Sequence, residues 1–325
     1  MKKMIFEAKH VLVTGGAGYL ATNLIAQLRD TECRVTRLDR PGAIFTPVTG
    51  KVQVRDIEGD IRERAVWETG LTDVDIIFHF AAQTSVYVAE QNPSDDLEIN
   101  VVPMLHLLET CQEKGICPIL LFSGTVTEFG LPANLPVNES HPDRPITVYD
   151  LHKWMAENYL LHYARGGIVR GAGLRLANVY GPGPKSSSAD RGVLNMMIRN
   201  ALKGETLTIY GDGNYLRDYI YVEDVARAFL DAVVGIKHVN CQYFVIGSGQ
   251  GCTIADAINL VAERVEKKTG QRAAVIHVEP PASLSPIETR NFVADTTRFT
   301  QATNWKARVS LIEGIDRTID YFLSQ

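Results

Sequence analysis

Residues 10–29 read HVLVTGGAGYLATNLIAQLR, and this stretch decides the fold. Val11, Leu12 and Val13 form a short apolar run, as expected of a strand buried on both faces. Thr14-Gly15-Gly16-Ala17-Gly18 follows, and then Leu20, Leu24, Ile25 and Leu28 recur at helical spacing. Glycines let a backbone turn tightly and approach phosphates closely, and the unsatisfied N–H groups of the helix point at negative charge. A glycine pattern alone is a weak signal, but here a strand precedes it and a helix follows. A dinucleotide pyrophosphate is expected at this turn.

Alternating strand-like and helix-like segments extend outward from that unit and imply a parallel sheet with helices on both faces. The second strand, Cys33 to Leu38, ends in Asp39, 21 residues beyond Gly18. An acidic side chain there accepts from ribose hydroxyls and repels a 2′-phosphate, which favours NAD over NADP. Arg40 softens that preference, and a solvated loop aspartate is the simpler alternative. Val52–Val54 reads as a third strand, followed by Glu58-Gly59-Asp60-Ile61. Asp60 suits either an adenine amino group, with Ile61 packed on the ring, or a helix N-cap. Asp75 to Phe80 is a fourth strand running into Ala81-Ala82-Gln83-Thr84-Ser85, small residues that leave room for a cofactor. His79 lies within that strand and reads as a core histidine. Residues 100–114 read as one helix, apolar nearly all round, with Pro103 allowed only in its first turn. Strand five, Pro118 to Phe122, delivers Ser123-Gly124-Thr125 to the carboxyl edge where open α/β sheets bind ligands.

Tyr149 opens a helix running to about Arg165, with Lys153 four residues on, so the two share a face. An ammonium near a phenol favours the phenolate, making Tyr149 a usable general base or acid. An exposed pair on a surface helix is the alternative. Beyond strand six, Val169 to Ala177, residues 184–192 read as a polar loop, and helices are expected at 193–202, 223–234 and 253–268.

Bulk properties narrow the classes. The chain has 325 residues, enough for one large domain plus a smaller lobe. A net charge of −5 and the absence of any Lys/Arg run argue against nucleic acid. The five cysteines show no C-x-x-C, which gives no zinc signature and suits a reducing cytoplasm. Glu7, Lys9 and His10 interrupt any signal-peptide core, and no apolar stretch is long enough to span a bilayer.

TGGAGYLA, Asp39, GDI, HFAAQTSV, Asn100, SGT, YDLHK, LANVYGPGP and GDGNYLRDYIYVEDVA stand in one order over residues 9–323. In that order the chain resembles the extended short-chain dehydrogenases/reductases, and within them the NAD-dependent epimerase/dehydratase group acting on nucleotide sugars. The resemblance implies an α/β Rossmann fold, doubly wound, with a smaller C-terminal substrate lobe. Residues 1–180 would bind NAD, with 219–247 returning to that domain. Residues 181–218 and 248–325 would mainly hold the nucleotide sugar. It assigns Thr125, Tyr149 and Lys153 to catalysis, with Asn100 supporting the water on Lys153. Gly15, Gly18, Tyr19 and Leu20 would meet the cofactor phosphates, and Asp39, Asp60 and Ile61 the adenosine. Phe80, Ala81, Ala82 and Ser123 would line the nicotinamide side. Thr84, Ser85 and Val193 would touch substrate, and Asn178, Arg217 and Arg290 its diphosphate. A salt bridge from Arg217 to Asp218 or Glu223 is the structural alternative. A homodimer through helices 100–114 and 149–165, packed as a four-helix bundle, is also implied, with no metal.

The departures from the family pattern refine the activity. Where the family commonly has Ser-Ser-x-x-Val-Tyr-Gly, this chain has Gly124-Thr125-Val126-Thr127-Glu128-Phe129-Gly130. The 4,6-dehydratases carry an Asp-Glu pair directly after the Thr, where Val126 and Thr127 stand here, and the decarboxylating relatives carry an acid at the second place. Both activities are therefore disfavoured. Glu128, one place later, is expected on the opposite side of an extended chain. The expectation is an NAD-dependent nucleotide-sugar epimerase acting through transient oxidation at C4. A 4-keto-6-deoxysugar reductase and a nonenzymatic NAD-binding protein are the alternatives.

Overall fold

The structure is a computed structural model and describes residues 2–184 and 192–325. The polar loop expected over 184–192 falls outside these apart from its two ends. Seven parallel strands form the main sheet: β1 His10–Thr14, β2 Arg34–Asp39, β3 Gln53–Glu58, β4 Ile76–His79, β5 Ile119–Thr125, β6 Arg170–Leu176 and, after three short strands, β10 Gln242–Ile246. Their order is β10-β6-β5-β4-β1-β2-β3. The order reverses between β1 and β4, the switch point outside which a doubly wound sheet binds its ligand. Strands β1, β4 and β5 are buried almost throughout, which explains their unbroken apolar runs.

The remaining strands build the second lobe. They are β7 Asn178–Tyr180, β8 Leu207–Tyr210, β9 Leu216–Tyr221, β11 Gly251–Thr253 and β12 Val275–Val278. They pair as β11-β9-β7 and β12-β8. Helices Val193–Leu202, Ile254–Thr269 and Leu311–Leu323 close a separate core of Leu194, Ile198, Ile209, Ile258, Val261 and Ile315. Helix Val222–Val234 packs on the main sheet through Val225 and Phe229. Phe292, Ala294, Phe299 and Trp305 join that same main core, so this part of the tail, expected in the substrate lobe, returns to the large sheet.

The helix expected over 100–114 is Val102–Lys114, starting two residues later than expected, and a separate helix, Pro93–Asn100, precedes it. The break falls at Val101, whose φ of −112° departs from helix. Pro103 has no N–H to donate to residue 99 and its ring crowds that carbonyl, so the chain restarts with the proline in a first turn. Asn100 therefore ends one helix and does not begin the next. Gly115, at φ +63°, closes the second helix in the left-handed conformation.

Candidate functional site

The turn after β1 is shaped by backbone crowding. Gly15 has φ +64°, and a Cβ there would stand 2.9 Å from Ala81 N and 3.0 Å from the Phe80 carbonyl carbon. The loops after β1 and β4 thus meet at the switch point with no space for a side chain. Gly16 is held by its N–H to Leu38 O at 3.0 Å, and a Cβ on it would strike Arg37 Cβ at 2.5 Å. Gly18 caps helix Tyr19–Leu28 without any side-chain acceptor, which leaves the first-turn N–H groups to a ligand. A glycine cradle opening onto an uncapped helix fits a dinucleotide pyrophosphate.

Asp39 ends β2, and its Oδ2 accepts from Ala17 N–H at 2.9 Å while Oδ1 accepts from Arg40 N–H at 2.8 Å. The carboxylate is half-buried and braces the glycine turn, so it is not a merely solvated loop residue. Asp60 takes a forked grip from Arg62 through Nε at 3.0 Å and Nη2 at 2.5 Å. That fork holds its carboxyl below the usual range. Asp60 is not an N-cap, because the next helix begins at Arg64 with Glu63 before it. Ile61 packs with Trp67, whose indole N–H donates to Ile61 O at 2.7 Å. The Tyr19 ring faces the second lobe, beside Gly183, where a Cβ would meet Tyr19 Cδ2 at 2.7 Å. Burial raises its phenol pKa well above the ordinary range. What Tyr19 and Leu20 offer a cofactor is therefore the backbone at the head of the helix.

At the carboxyl edge β4 and β5 end side by side. Phe80 is wedged edge-on against Phe229, with ring centroids 4.7 Å apart, and Ala81 N–H donates to Thr14 Oγ1 at 3.2 Å. Ser123 Oγ lies 3.4 Å from His79 O. His79 itself is fully buried with Nδ1 2.8 Å from Thr14 Oγ1. Burial, with the charge of Lys153 adding to it, lowers its pKa to about 3, which suits a neutral core histidine.

Thr125 ends β5, and helix Val148–Arg165, which carries Tyr149 and Lys153, packs on that strand and on the turn after it, with Asp150 bonded to Thr127. Thr147 starts that helix by accepting Asp150 N–H at 3.2 Å. Tyr149 is 6% exposed and Lys153 2%, so the pair is not on an open surface. The Lys153 ammonium sits 4.0 Å over the Phe122 ring. Asn100 clamps the loop after β4: its Oδ1 accepts Gln83 N–H at 3.1 Å and its Nδ2 donates to Gln83 O at 3.0 Å.

On the second lobe, Arg217 and Arg290 are both nearly buried and converge. Arg217 donates to Arg290 O at 2.5 Å and to Glu288 O at 2.8 Å. Glu288 Oε2 lies 3.5 Å from Arg217 and 3.8 Å from Arg290. Arg290 Nη2 lies 3.5 Å from Asn178 Oδ1. The bridge considered from Arg217 to Asp218 or Glu223 is absent. Asp218 instead accepts from Ser248, Gly249 and Ala294 N–H groups, and Glu223 pairs with Arg317. Ser85, expected to touch substrate, spends its hydroxyl capping helix Val86–Gln91 on Val88 N–H at 3.2 Å and is buried. Thr84 beside it is half-buried. Val193 is 44% exposed at the head of its helix.

Three buried clusters around these residues went unread in the sequence. Asp96 accepts from Gln83 Nε2 at 2.6 Å and Asn100 Nδ2 at 2.9 Å and pairs with His152 Nδ1 at 2.6 Å, tying the β4 loop to helix Val148–Arg165. Thr127 links Thr125 to Asp150. Glu128 is not on the far side of an extended chain. Residues Val126–Phe129 form a 3₁₀ turn with a capping box, so the Glu128 carboxylate folds back to accept Thr125 N–H at 2.9 Å. Its other oxygen is 2.9 Å from Arg175, which also pairs with Glu157 and Asp143. Burial, then the charge of Glu157, pushes the Glu128 carboxyl well above its usual range. Thr125 followed three places on by Glu128 is the sequence pattern of that capping box, the signal that reveals the turn.

Among the described residues no cluster of His, Cys, Asp or Glu suits a metal ion, and no helix is long and apolar enough to cross a membrane. The model of the NAD-dependent epimerase/dehydratase family matches residues 11–247. The UDP-glucose 4-epimerase of Mycolicibacterium smegmatis is 29% identical over 321 residues, covering 96% of this chain and 97% of that protein. The crystal structure of the UDP-glucose 4-epimerase of Thermotoga maritima with UDP-glucose superposes with a TM-score of 0.86 at 30% identity, covering 97% of this chain and 99% of that one. The Thermus thermophilus UDP-glucose 4-epimerase complex with NAD gives a TM-score of 0.82 at 29% identity, with the same coverage of 97% and 99%. With the glycine turn, the Rossmann strand order and the Thr–Tyr–Lys edge already placed, this match establishes that the chain belongs to the NAD-dependent epimerase/dehydratase family.

Proposed function

We propose that the protein is an NAD-dependent nucleotide-sugar 4-epimerase acting on a UDP-sugar. The observation that supports it is the packing of the helix carrying Tyr149 and Lys153 on β5, with Lys153 over Phe122 and Asp150 joined through Thr127 to Thr125, in a sheet whose β1 turn is a glycine cradle suited to a dinucleotide. NAD would be held by the Gly15–Leu20 turn and Asp39, and when bound its nicotinamide accepts and returns a hydride at the sugar carbon.

The chain's own residues supply the rest. Lys153 favours the phenolate of Tyr149 by charge, and Tyr149 takes the proton of the sugar 4-hydroxyl. Thr125 holds that same oxygen through its hydroxyl. Arg217 and Arg290, with Asn178, offer a guanidinium pair to the diphosphate, a geometry that suits phosphate oxygens. Held by its phosphates, the keto-sugar can present either face, and Tyr149 then returns the proton. The relatives described above carry epimerase names, which favours epimerisation over the keto-sugar reduction also open from sequence. Helices Val102–Lys114 and Val148–Arg165 lie against each other, with Leu151 41% exposed, and form the face we assign to a homodimer. The five cysteines are free, which fits the cytoplasmic location we assign.

The test is Tyr149→Phe with UDP-glucose, followed by anomeric NMR. A fall in kcat of about 10²- to 10⁴-fold, the usual worth of a general acid–base group, supports the reading. Unchanged turnover overturns it.

A further inference from the structure

A chain of hydroxyls leads from Thr125 into the protein. Thr125 Oγ1 is 2.8 Å from Thr127 Oγ1, and Thr127 Oγ1 is 2.5 Å from Asp150 Oδ1. The three side chains are 9%, 3% and 0% exposed. Thr127 N–H also points to Thr125 Oγ1 at 3.3 Å. Both ends are anchored, Thr125 by Glu128 on its backbone N–H and Asp150 by the Thr147 cap.

A proton count decides what this chain does. Each threonine hydroxyl carries one hydrogen and two lone pairs. If Thr127 gives its hydrogen to Asp150, Thr125 must fill the 2.8 Å contact with its own hydrogen. Thr125 then shows only a lone pair to the sugar. If Thr127 gives its hydrogen to Thr125, both acceptor positions of Thr125 are taken by Thr127, and the Thr125 hydrogen points outward. The 2.5 Å contact between Thr127 and Asp150 then has to be bridged by a proton on Asp150. A sugar oxygen losing its proton to Tyr149, and the ketone oxygen formed from it, both present lone pairs and need a donor.

On the epimerase reading, we propose that Thr127 and Asp150 are positioning residues, with Asp150 protonated in the productive complex, so that the Thr125 hydrogen is aimed at the reacting sugar oxygen. Neither residue touches substrate. They act through Thr125, by setting the direction of its hydroxyl.

The experiment measures kcat, KM and the isotope effect of sugar deuterated at C4 for full-length Thr127→Val, Thr127→Ser, Asp150→Asn and Asp150→Ala, with UDP-glucose. Thr127→Val keeps size and removes the relay, so kcat falls about tenfold or more with KM within about threefold, since only transition-state stabilisation is lost. The isotope effect rises as hydride transfer becomes limiting. Thr127→Ser restores the hydroxyl and the rate. Asp150→Asn supplies a permanent N–H donor and stays within about threefold of the parent, while Asp150→Ala falls with Thr127→Val. Thr127→Val at parental kcat, or Asp150→Asn falling as far as Asp150→Ala, overturns the proposal. If the parent protein epimerises no nucleotide sugar, the functional reading itself fails and the relay falls with it. That outcome is distinct, because it appears before any variant is made.

Discussion

Gly15→Ala measures how much of the cofactor site is backbone crowding. The residue sits at φ +64°, where a side chain costs about 1–2 kcal/mol. Its new Cβ would also stand 2.9 Å from Ala81 N and 3.0 Å from the Phe80 carbonyl carbon, both backbone atoms that cannot rotate away. The loop after β4 must therefore move by some tenths of an ångström. The bonds that stretch first are Ala81 N–H to Thr14 Oγ1 at 3.2 Å and Phe80 N–H to Thr14 O at 3.3 Å. Weakening these adds about 1 kcal/mol, so the total is about 2–3 kcal/mol. For a chain of this size that lowers Tm by about 3–4 °C. The displaced N–H cradle lowers NAD affinity by about tenfold or more, equivalent to 1.4 kcal/mol or above. Gly115→Ala is the internal control. It has φ +63° with no atom within 4 Å of a built Cβ, so it feels the backbone strain alone. It should lose only about 1–2 kcal/mol and bind NAD normally. Calorimetric melting and NAD titration of both variants give the answer. Equal losses in the two, with NAD affinity unchanged in Gly15→Ala, would refute the claim that the β1–β4 contact shapes the cradle.

Three further outcomes follow from the geometry. On the proposed role of Asp39 at the ribose, Asp39→Ser should narrow the ratio of NAD to NADP affinity, read by titration, by about tenfold or more. If Arg217 holds the diphosphate as proposed, Arg217→Met should raise KM for UDP-glucose by about tenfold or more while kcat changes less, because such a contact is equal in ground and transition states. His79 is held neutral, with its pKa lowered from 6.5 to about 3, so the unfolded chain takes up a proton first. Its contribution is present above pH 6.5 and is lost as pH falls toward 3. Urea denaturation at pH 7 and pH 5 should therefore show a smaller acid loss in His79→Gln than in the parent.

The parts of this molecule that sequence reveals are those with local physical signatures. The β1 turn declares itself because positive φ and close approach demand glycine at 15. The Tyr149–Lys153 face follows from helical spacing alone. What stayed hidden depends on atoms brought together across the chain. Nothing local announces that Asp96 joins His152 across 56 residues, or that Arg175 gathers Glu128, Glu157 and Asp143. Glu128 was misplaced because an extended chain was assumed where the capping box turns it. Pro103 does sit in the first turn of its helix, as the sequence indicates, but nothing local shows that Asn100 closes a preceding helix and that the next one starts at Val102. Sequence offers Asp218 and Glu223 as neighbours for the Arg217 guanidinium, yet the carboxylate beside it, Glu288, stands 71 residues away.

The most direct test of the central claim is anomeric proton NMR of the purified protein with NAD and UDP-glucose, with no reductant added. UDP-, GDP-, CDP- and dTDP-hexoses are run in parallel. The account predicts a new anomeric signal for the C4 epimer of the UDP-sugar, growing to an equilibrium mixture with no net change in cofactor redox state. Absence of any epimer across the panel would contradict it.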